Sequence, residues 1–129
     1  MSQHFDLVEL QLLNDAEDVE IETEIVQEQQ DRRVIWIVVV GLHPYVRSVN
    51  AKQGHWYQEL IEKSAGAIHA SGRRIPVRAV PVSEVETLMQ VSEAYVRKYG
   101  HYPDDVAWLI GPEVLPTTLR LEPISHAQG

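Results

Sequence analysis

From His4 to Leu13 apolar residues recur at helical spacing, with Phe5, Val8 and Leu12 on one line and Leu7, Leu10 and Leu13 widening it. Asn14-Asp15 supplies the stop, so the pattern predicts a short N-terminal helix. The period then changes from 3.6 to two. Val19, Ile21, Thr23 and Ile25 alternate with Glu20, Glu22 and Glu24, a strand with apolar groups inward and carboxylates facing water. Gln27 to Arg33 reads as a polar turn. Val34 to Val40 follows without a polar interruption and rich in β-branched residues, which predicts the central strand, ended by Gly41.

His43-Pro44 reads as a tight turn into a third strand that sends Tyr45, Arg47 and Val49 to one side and Val46 and Ser48 to the other, completing a hairpin. The loop Asn50 to Gly54 leads into a helix over His55 to Lys63, where Trp56 lies over Leu60 and Tyr57 over Ile61. Ala67 to Ser71 alternates as a short strand and Gly72 turns the chain. Arg73 to Val82 returns as a longer strand whose Pro76 and Pro81 require an edge position or bulges. Ser83-Glu84-Val85-Glu86 has the form of a capping box, and Val85, Leu88, Met89, Ser92, Val96 and Tyr99 trace one helical face as far as Gly100, a C-cap. After the proline-bearing loop His101 to Pro116, in which Pro103-Asp104-Asp105 begins a helical turn with Asp104 as N-cap, Thr117 to Glu122 alternates as a last strand. Six strands with hairpin-length turns predict an α+β fold: a mostly antiparallel, partly open barrel with flanking helices. No linker divides the chain, so residues 1–129 read as a single domain, with 1–18 as an N-terminal helix and acidic lead-in.

Composition narrows the chemistry. The 129 residues contain no cysteine, which removes disulfides, thiolate metal sites and cysteine nucleophiles. The net charge of −8 hides an asymmetry, since residues 1–31 hold ten acids and no Lys or Arg, while the other 98 hold nine acids and eleven bases. An acidic chain is a poor partner for nucleic acid, and the acid run reads as a solvated face. The apolar run Val34 to Leu42 is too short to span a membrane, and Met1 to Asp6 lacks the layout of a signal peptide, so a cytoplasmic location is expected. The six histidines show no pairing at i, i+3 or i+4 on a predicted helix, and no protein-bound metal is expected. Phosphate loops, dinucleotide fingerprints and nucleophile elbows are also absent, so catalytic residues are not identifiable from motifs.

The informative stretch runs from Tyr45 to Leu60. It places Arg47, Ser48 and Lys52, with His55 and the backbone N–H groups opening the Trp56-Tyr57 helix, in one strand–loop–helix corner. Fixed donors and positive charge there favour a phosphate or carboxylate. Each residue also has a structural role open to it. Arg47 serves either an anion or a carboxylate of the Glu20/Glu22/Glu24 strand, and Lys52 is equally at home in solvent. Trp56 and Tyr57 suit a core or an interface as well as a cofactor. His55 suits the surface, and Trp36 suits the core. Arg73 and Arg74 read as turn residues that can also reach a cofactor or a partner subunit.

The strand ending Tyr45-Val46-Arg47-Ser48, the segment Gly54-His55-Trp56-Tyr57-Gln58-Glu59-Leu60 and the strand Gly72-Arg73-Arg74-Ile75-Pro76-Val77-Arg78-Ala79 together resemble the pyridoxamine-phosphate-oxidase-like FMN-binding split β-barrel superfamily. Over Val19 to Glu122 the chain looks similar to the deazaflavin-dependent nitroreductases, and most similar to a small bacterial branch catalogued as a domain of unknown function. The resemblance implies a homodimer with FMN or a deazaflavin in a groove between protomers, and oxidoreductase chemistry on a small organic substrate. Under it Arg47, Ser48 and Lys52 hold the phosphate with His55 at the helix start, while Trp56, Tyr57 and the Val34–Val40 strand border the groove. The same fold also serves as a non-catalytic, homodimeric module for a small ligand, which is the alternative reading.

Overall fold

The period-two pattern of residues 19–25 becomes the second element of the fold, and the structure brings helices to both sides of the sheet it begins. The computed structural model describes residues 5–26 and 29–124. Helix α1 (Leu7–Asp15) precedes β1 (Val19–Val26), β2 (Gln29–Ile35), β3 (Ile37–Val40) and β4 (His43–Val46). A 3-10 turn at Ala51–Gln53 leads into α2 (His55–Lys63), the hairpin β5 (Ala65–Ala70) and β6 (Arg73–Pro81), then α3 (Val85–Tyr99) and α4 (Pro103–Leu109). A second 3-10 turn at Leu115–Thr117 precedes β7 (Leu119–Pro123). Seven strands are thus present among the described residues rather than the expected six, all paired antiparallel in the order β2-β1-β5-β6-β7-β4-β3.

The extra strand comes from the apolar run. Its first part belongs to β2, together with residues 29–33 that the sequence pattern assigns to a turn, and its second part is β3. Trp36 alone separates the two, yet they lie at opposite ends of the sheet order. The sheet must therefore curl until its edges are one residue apart, which makes a half-barrel. So the run is not a central strand. It lacks polar positions because β3 is covered on both faces: Ile37 joins the barrel interior and Val38 joins a second core beneath α3 and α4. Neighbouring β4 divides in the same way, with Val46 inside and Tyr45 outside. The hairpin turn is Gly41-Leu42, with φ of +62° at Gly41, and His43 and Pro44 lie in the strand itself.

Paired residues line the interior as a ring: Val19 against Ile35, Ile21 against Ile68, Ala79 against Leu121, and Ile37 against Val46. Leu10 and Leu13 of α1, preceded by Phe5, plug one opening, and Trp56 and Leu60 of α2 join the same core. Leu7 and Val8 are exposed, so α1 buries a narrower line than the full apolar set. Its start is a capping box, in which Asp6 accepts from the Glu9 N–H at 2.7 Å and Glu9 accepts from the Asp6 N–H at 3.2 Å. The helix start expected at His4 lies outside the described residues.

Four further expectations change. Pro76 and Pro81 do not place β6 at an edge, because it lies between β5 and β7. Each proline instead falls near an end of the β6–β7 ladder, where a missing N–H breaks no run of bonds. On α3 the buried face is Val91, Ala94, Tyr95 and Tyr99, while Val85, Met89 and Val96 are exposed. The N-cap is Glu84, which accepts from the Thr87 hydroxyl at 2.6 Å, so Ser83 makes no capping box. Helix α4 starts two residues earlier than expected, with Tyr102 as N-cap and Asp104 and Asp105 in its first turn.

The outer edge of β3 is sealed by α3. Lys98 Nζ donates to Ile37 O at 2.7 Å and to Leu13 O at 3.0 Å, and the Tyr99 hydroxyl accepts from the Ile37 N–H at 3.2 Å. Trp36 stacks flat on Tyr99, 4.1 Å between centroids, and so is half core and half surface. On the outer face of β1, Glu20 pairs with Arg32, but Glu22 does not face water. Its carboxylate is buried under Arg74 and His69, with bonds of 3.0 and 3.1 Å from Arg74 and 2.6 Å from His69. The orientations of Glu24 and Ile25 lie outside the described side chains.

Candidate functional site

Where β4 runs out, the chain passes through Arg47 and Ser48 into a tight turn, and this turn sets the site. The Ala51 N–H donates to Ser48 O at 2.9 Å, Ala51 takes a left-handed φ of +56°, and Gly54 then opens α2. No side chain caps α2, so the N–H groups of its first turn keep no intrahelical partner. The Gly54 α-carbon packs directly on Ser48, whose Oγ would meet a Cβ at 2.3 Å. Ser48 is fully buried, and its Oγ has no hydrogen-bond partner among the described residues, although its N–H donates to Thr117 Oγ1 at 3.0 Å. The uncapped helix start is an arrangement that an anion satisfies, whereas the Ser48 hydroxyl is enclosed beneath Gly54.

Arg47 supplies the charge. Its guanidinium is buried, donating from Nε to Thr118 Oγ1 at 2.8 Å, from Nη1 to Ser92 Oγ at 2.9 Å and Leu109 O at 3.1 Å, and from Nη2 to Leu88 O at 2.9 Å. It also lies 5.6 Å over the Tyr95 ring. These partners are all neutral, so the cation is hydrogen-bonded but not neutralised. Burial lowers its pKa, while the nearby Tyr95 opposes that, and Tyr95 itself is pushed well above the ordinary phenol value by burial. The expected alternative, a carboxylate of β1, is not what Arg47 meets, since Glu20 and Glu22 have their own partners.

A cavity of about 470 Å³ opens against this corner, within the range of small-ligand sites. Arg47, His55 and Trp56 line it, together with Asn50 and Gln53 of the turn. Arg33, Val34, Ile35 and Trp36 from the β2–β3 corner form the opposite wall, and Tyr95 and Leu109 the floor. His55 is largely exposed at the rim, 3.6 Å from Glu59, whose other oxygen accepts from Thr23 at 2.5 Å. Three expected residues lie off the cavity, and the first of them, Ser48, is sealed beneath Gly54. Lys52 faces a neighbouring groove with Trp108 and Glu113, and Tyr57 packs half-buried on the barrel core, edge-to-face with Trp56. The turn residues Asn50 and Gln53 stand inside the informative stretch and were findable there. Tyr95, Leu109, Ser92 and Thr118 come from distant segments and carry no local signal.

The donors at the α2 start and the Arg47 charge fit a compact anion such as a phosphate. Trp36 and Trp56 add flat apolar walls that fit an aromatic ring. Among the described residues no group of three or more His, Asp or Glu side chains could hold a metal ion, and no helix is long and apolar enough to cross a membrane.

Structural comparison agrees with this architecture. A protein from Listeria innocua provisionally assigned as a pyridoxamine 5′-phosphate oxidase superposes with a TM-score of 0.59 at 11% identity, over 91% of this chain and 90% of that one. A structure described as a domain-swapped dimer gives 0.60 at 12% identity, over 84% and 81%. An F420 reductase gives 0.51 at 12% identity, over 89% and 92%. At these identities the likeness establishes the split-barrel fold. No curated protein matches the sequence. A family model matches residues 9–121, and with the fold in agreement the chain belongs to that family, described as "Uncharacterized protein conserved in bacteria (DUF2255)".

Proposed function

We propose that the cavity beside Arg47 binds a flavin-type cofactor, FMN or a deazaflavin, and that the protein is a homodimeric oxidoreductase acting on a small organic substrate. The observation that carries this reading is the uncapped start of α2 opening on a cavity beside a guanidinium with only neutral partners. The α2 N–H groups would hold the cofactor phosphate, Ser48 beneath Gly54 would support the turn that presents them, and His55 at the rim would add a donor. Arg47 would act through its field and by fixing the walls, because its N–H groups are already directed to Thr118, Ser92 and two carbonyls. Trp36 and Trp56 would border the ring. When bound, the cofactor supplies hydride or electron transfer, while the protein supplies position and charge. The domain-swapped neighbour and the F420 reductase support the dimer and the cofactor class respectively.

Quenching of flavin fluorescence tests this directly. FMN is expected to bind with riboflavin at least about tenfold weaker, because only FMN carries the phosphate, a difference of about 1.4 kcal/mol. His55→Ala should weaken FMN and leave riboflavin unchanged. Failure of both FMN and a deazaflavin to bind would overturn the reading.

One observation favours a second reading, a non-catalytic module for a small ligand. Lys52, the only lysine of the loop, lies in a separate groove and adds no charge to the cavity. Binding of a flavin without reduction by any nicotinamide or organic donor would support it.

A further inference from the structure

Helix α3 has two apolar faces and the fold uses one. Val91, Ala94, Tyr95 and Tyr99 are buried, while on the other side Val85, Met89 and Val96 are 69%, 60% and 49% exposed. With Ser92 these exposed positions follow spacings of four, three and four, the seam spacing of two packed helices. The seam residues Met89, Ser92 and Val96, with Leu88, form one wall of a groove of about 490 Å³ whose other wall is Ile110 and Leu115. Ridge and groove stand next to each other on one surface, which is the geometry of a self-complementary, isologous contact.

The charges along α3 say what the occupant is. Glu84 and Glu86 stand at its N-terminal end and Arg97 at its C-terminal end, while Glu93 stands beside the seam and Lys98 is turned inward onto Ile37 O and Leu13 O. A second α3 laid antiparallel brings each acidic end to a basic one and opposes the two helix dipoles. We infer that α3 is the dimer contact: two copies pair antiparallel about a two-fold axis at Ser92, with Met89 packing against the partner's Val96 and the side chains of the seam filling the partner's groove. Ser92 is small enough to let the backbones cross closely. This inference rests on the homodimer of the proposed function and names its face. It also couples that face to the cavity, because Arg47 donates to Ser92 Oγ and to Leu88 O from beneath the seam.

Light scattering on the full chain, with Met89→Glu and Val96→Glu beside the native sequence, tests the inference. Both substitutions are at exposed positions, so unfolding curves should match the native protein at low concentration. The expected result is a native dimer and a dissociation constant at least a hundredfold higher in each variant. Because the chain has no cysteine, Glu93→Cys gives a positional check: a short bismaleimide should join two copies there and should not do so at Glu113→Cys. A native monomer would overturn this inference and the homodimer together, without touching flavin binding. A native dimer that survives both Glu variants, with no crosslink at 93, would overturn the α3 face alone.

Discussion

The Ser48 hydroxyl lies against Gly54 so closely that a Cβ at residue 54 would stand 2.3 Å from Oγ. The backbone of Gly54 has an ordinary φ of −62°, so glycine is required here for space and not for conformation. Gly54→Ala should therefore cost about 1–2 kcal/mol of stability from overpacking. Ser48→Ala should be near neutral, since it removes a polar atom that has no partner. Combined, the two substitutions should recover part of the Gly54→Ala loss. Urea unfolding of the four proteins in the cycle reads the coupling, and strict additivity would contradict the contact.

Arg47 joins three segments that are far apart in the chain. Replacing it with Met keeps volume and leaves Thr118, Ser92 and two carbonyls without a donor. A loss of about 3 kcal/mol is expected in urea unfolding. Thr118→Val, which removes one acceptor, should cost about 1 kcal/mol.

Glu22 contributes to the acid limit of the fold, together with Glu122, which Arg78 and Arg120 hold below the ordinary value. The Arg74 hydrogen bond is the main cause holding its carboxyl below the ordinary 4.5; burial opposes it, and His69 adds to the lowering. A folded-state pKa below the unfolded one means stability that is complete above about pH 4.5 and is lost as pH falls through the lower folded value. Native protein should show this slope, and Glu22→Gln should flatten it while costing about 2 kcal/mol at neutral pH. Stability measured by urea between pH 3 and 7 decides the point.

Lys98 gives a dependence of the same sign on the alkaline side. Burial pulls its pKa from 10.5 down to about 8, against the pull of Asp15 and Glu17. Between these values the unfolded chain holds the extra proton, so stability should rise with pH from about 8 toward 10, by about 1–2 kcal/mol after solvent screening. Above pH 10 the buried phenols of Tyr95 and Tyr99, both raised by burial, reverse the trend as the unfolded chain ionises first. Lys98→Met should remove the rise and keep the later fall.

What the chain alone determined is local. The strands β1, β5, β6 and β7, the helices α1, α2 and α3, and the strand–turn–helix corner that holds Arg47, Ser48 and His55 follow from period, turn chemistry and residue type within a few neighbours. What only the tertiary structure decided depends on more than one segment. Val34 to Val40 is apolar throughout, so no position along it marks Trp36 as the corner where one edge of the sheet becomes the other. Two apolar stripes of α3 satisfy the same period, and the face that packs is chosen by β3 and α4. Arg47 is a donor in any reading, but that its partners are neutral, and that Lys52 turns to another groove, follows from Ser92, Leu109 and Thr118 arriving from 45 to 71 residues away. Spacing along the chain determines which groups share a face, and closure of the sheet determines which faces meet.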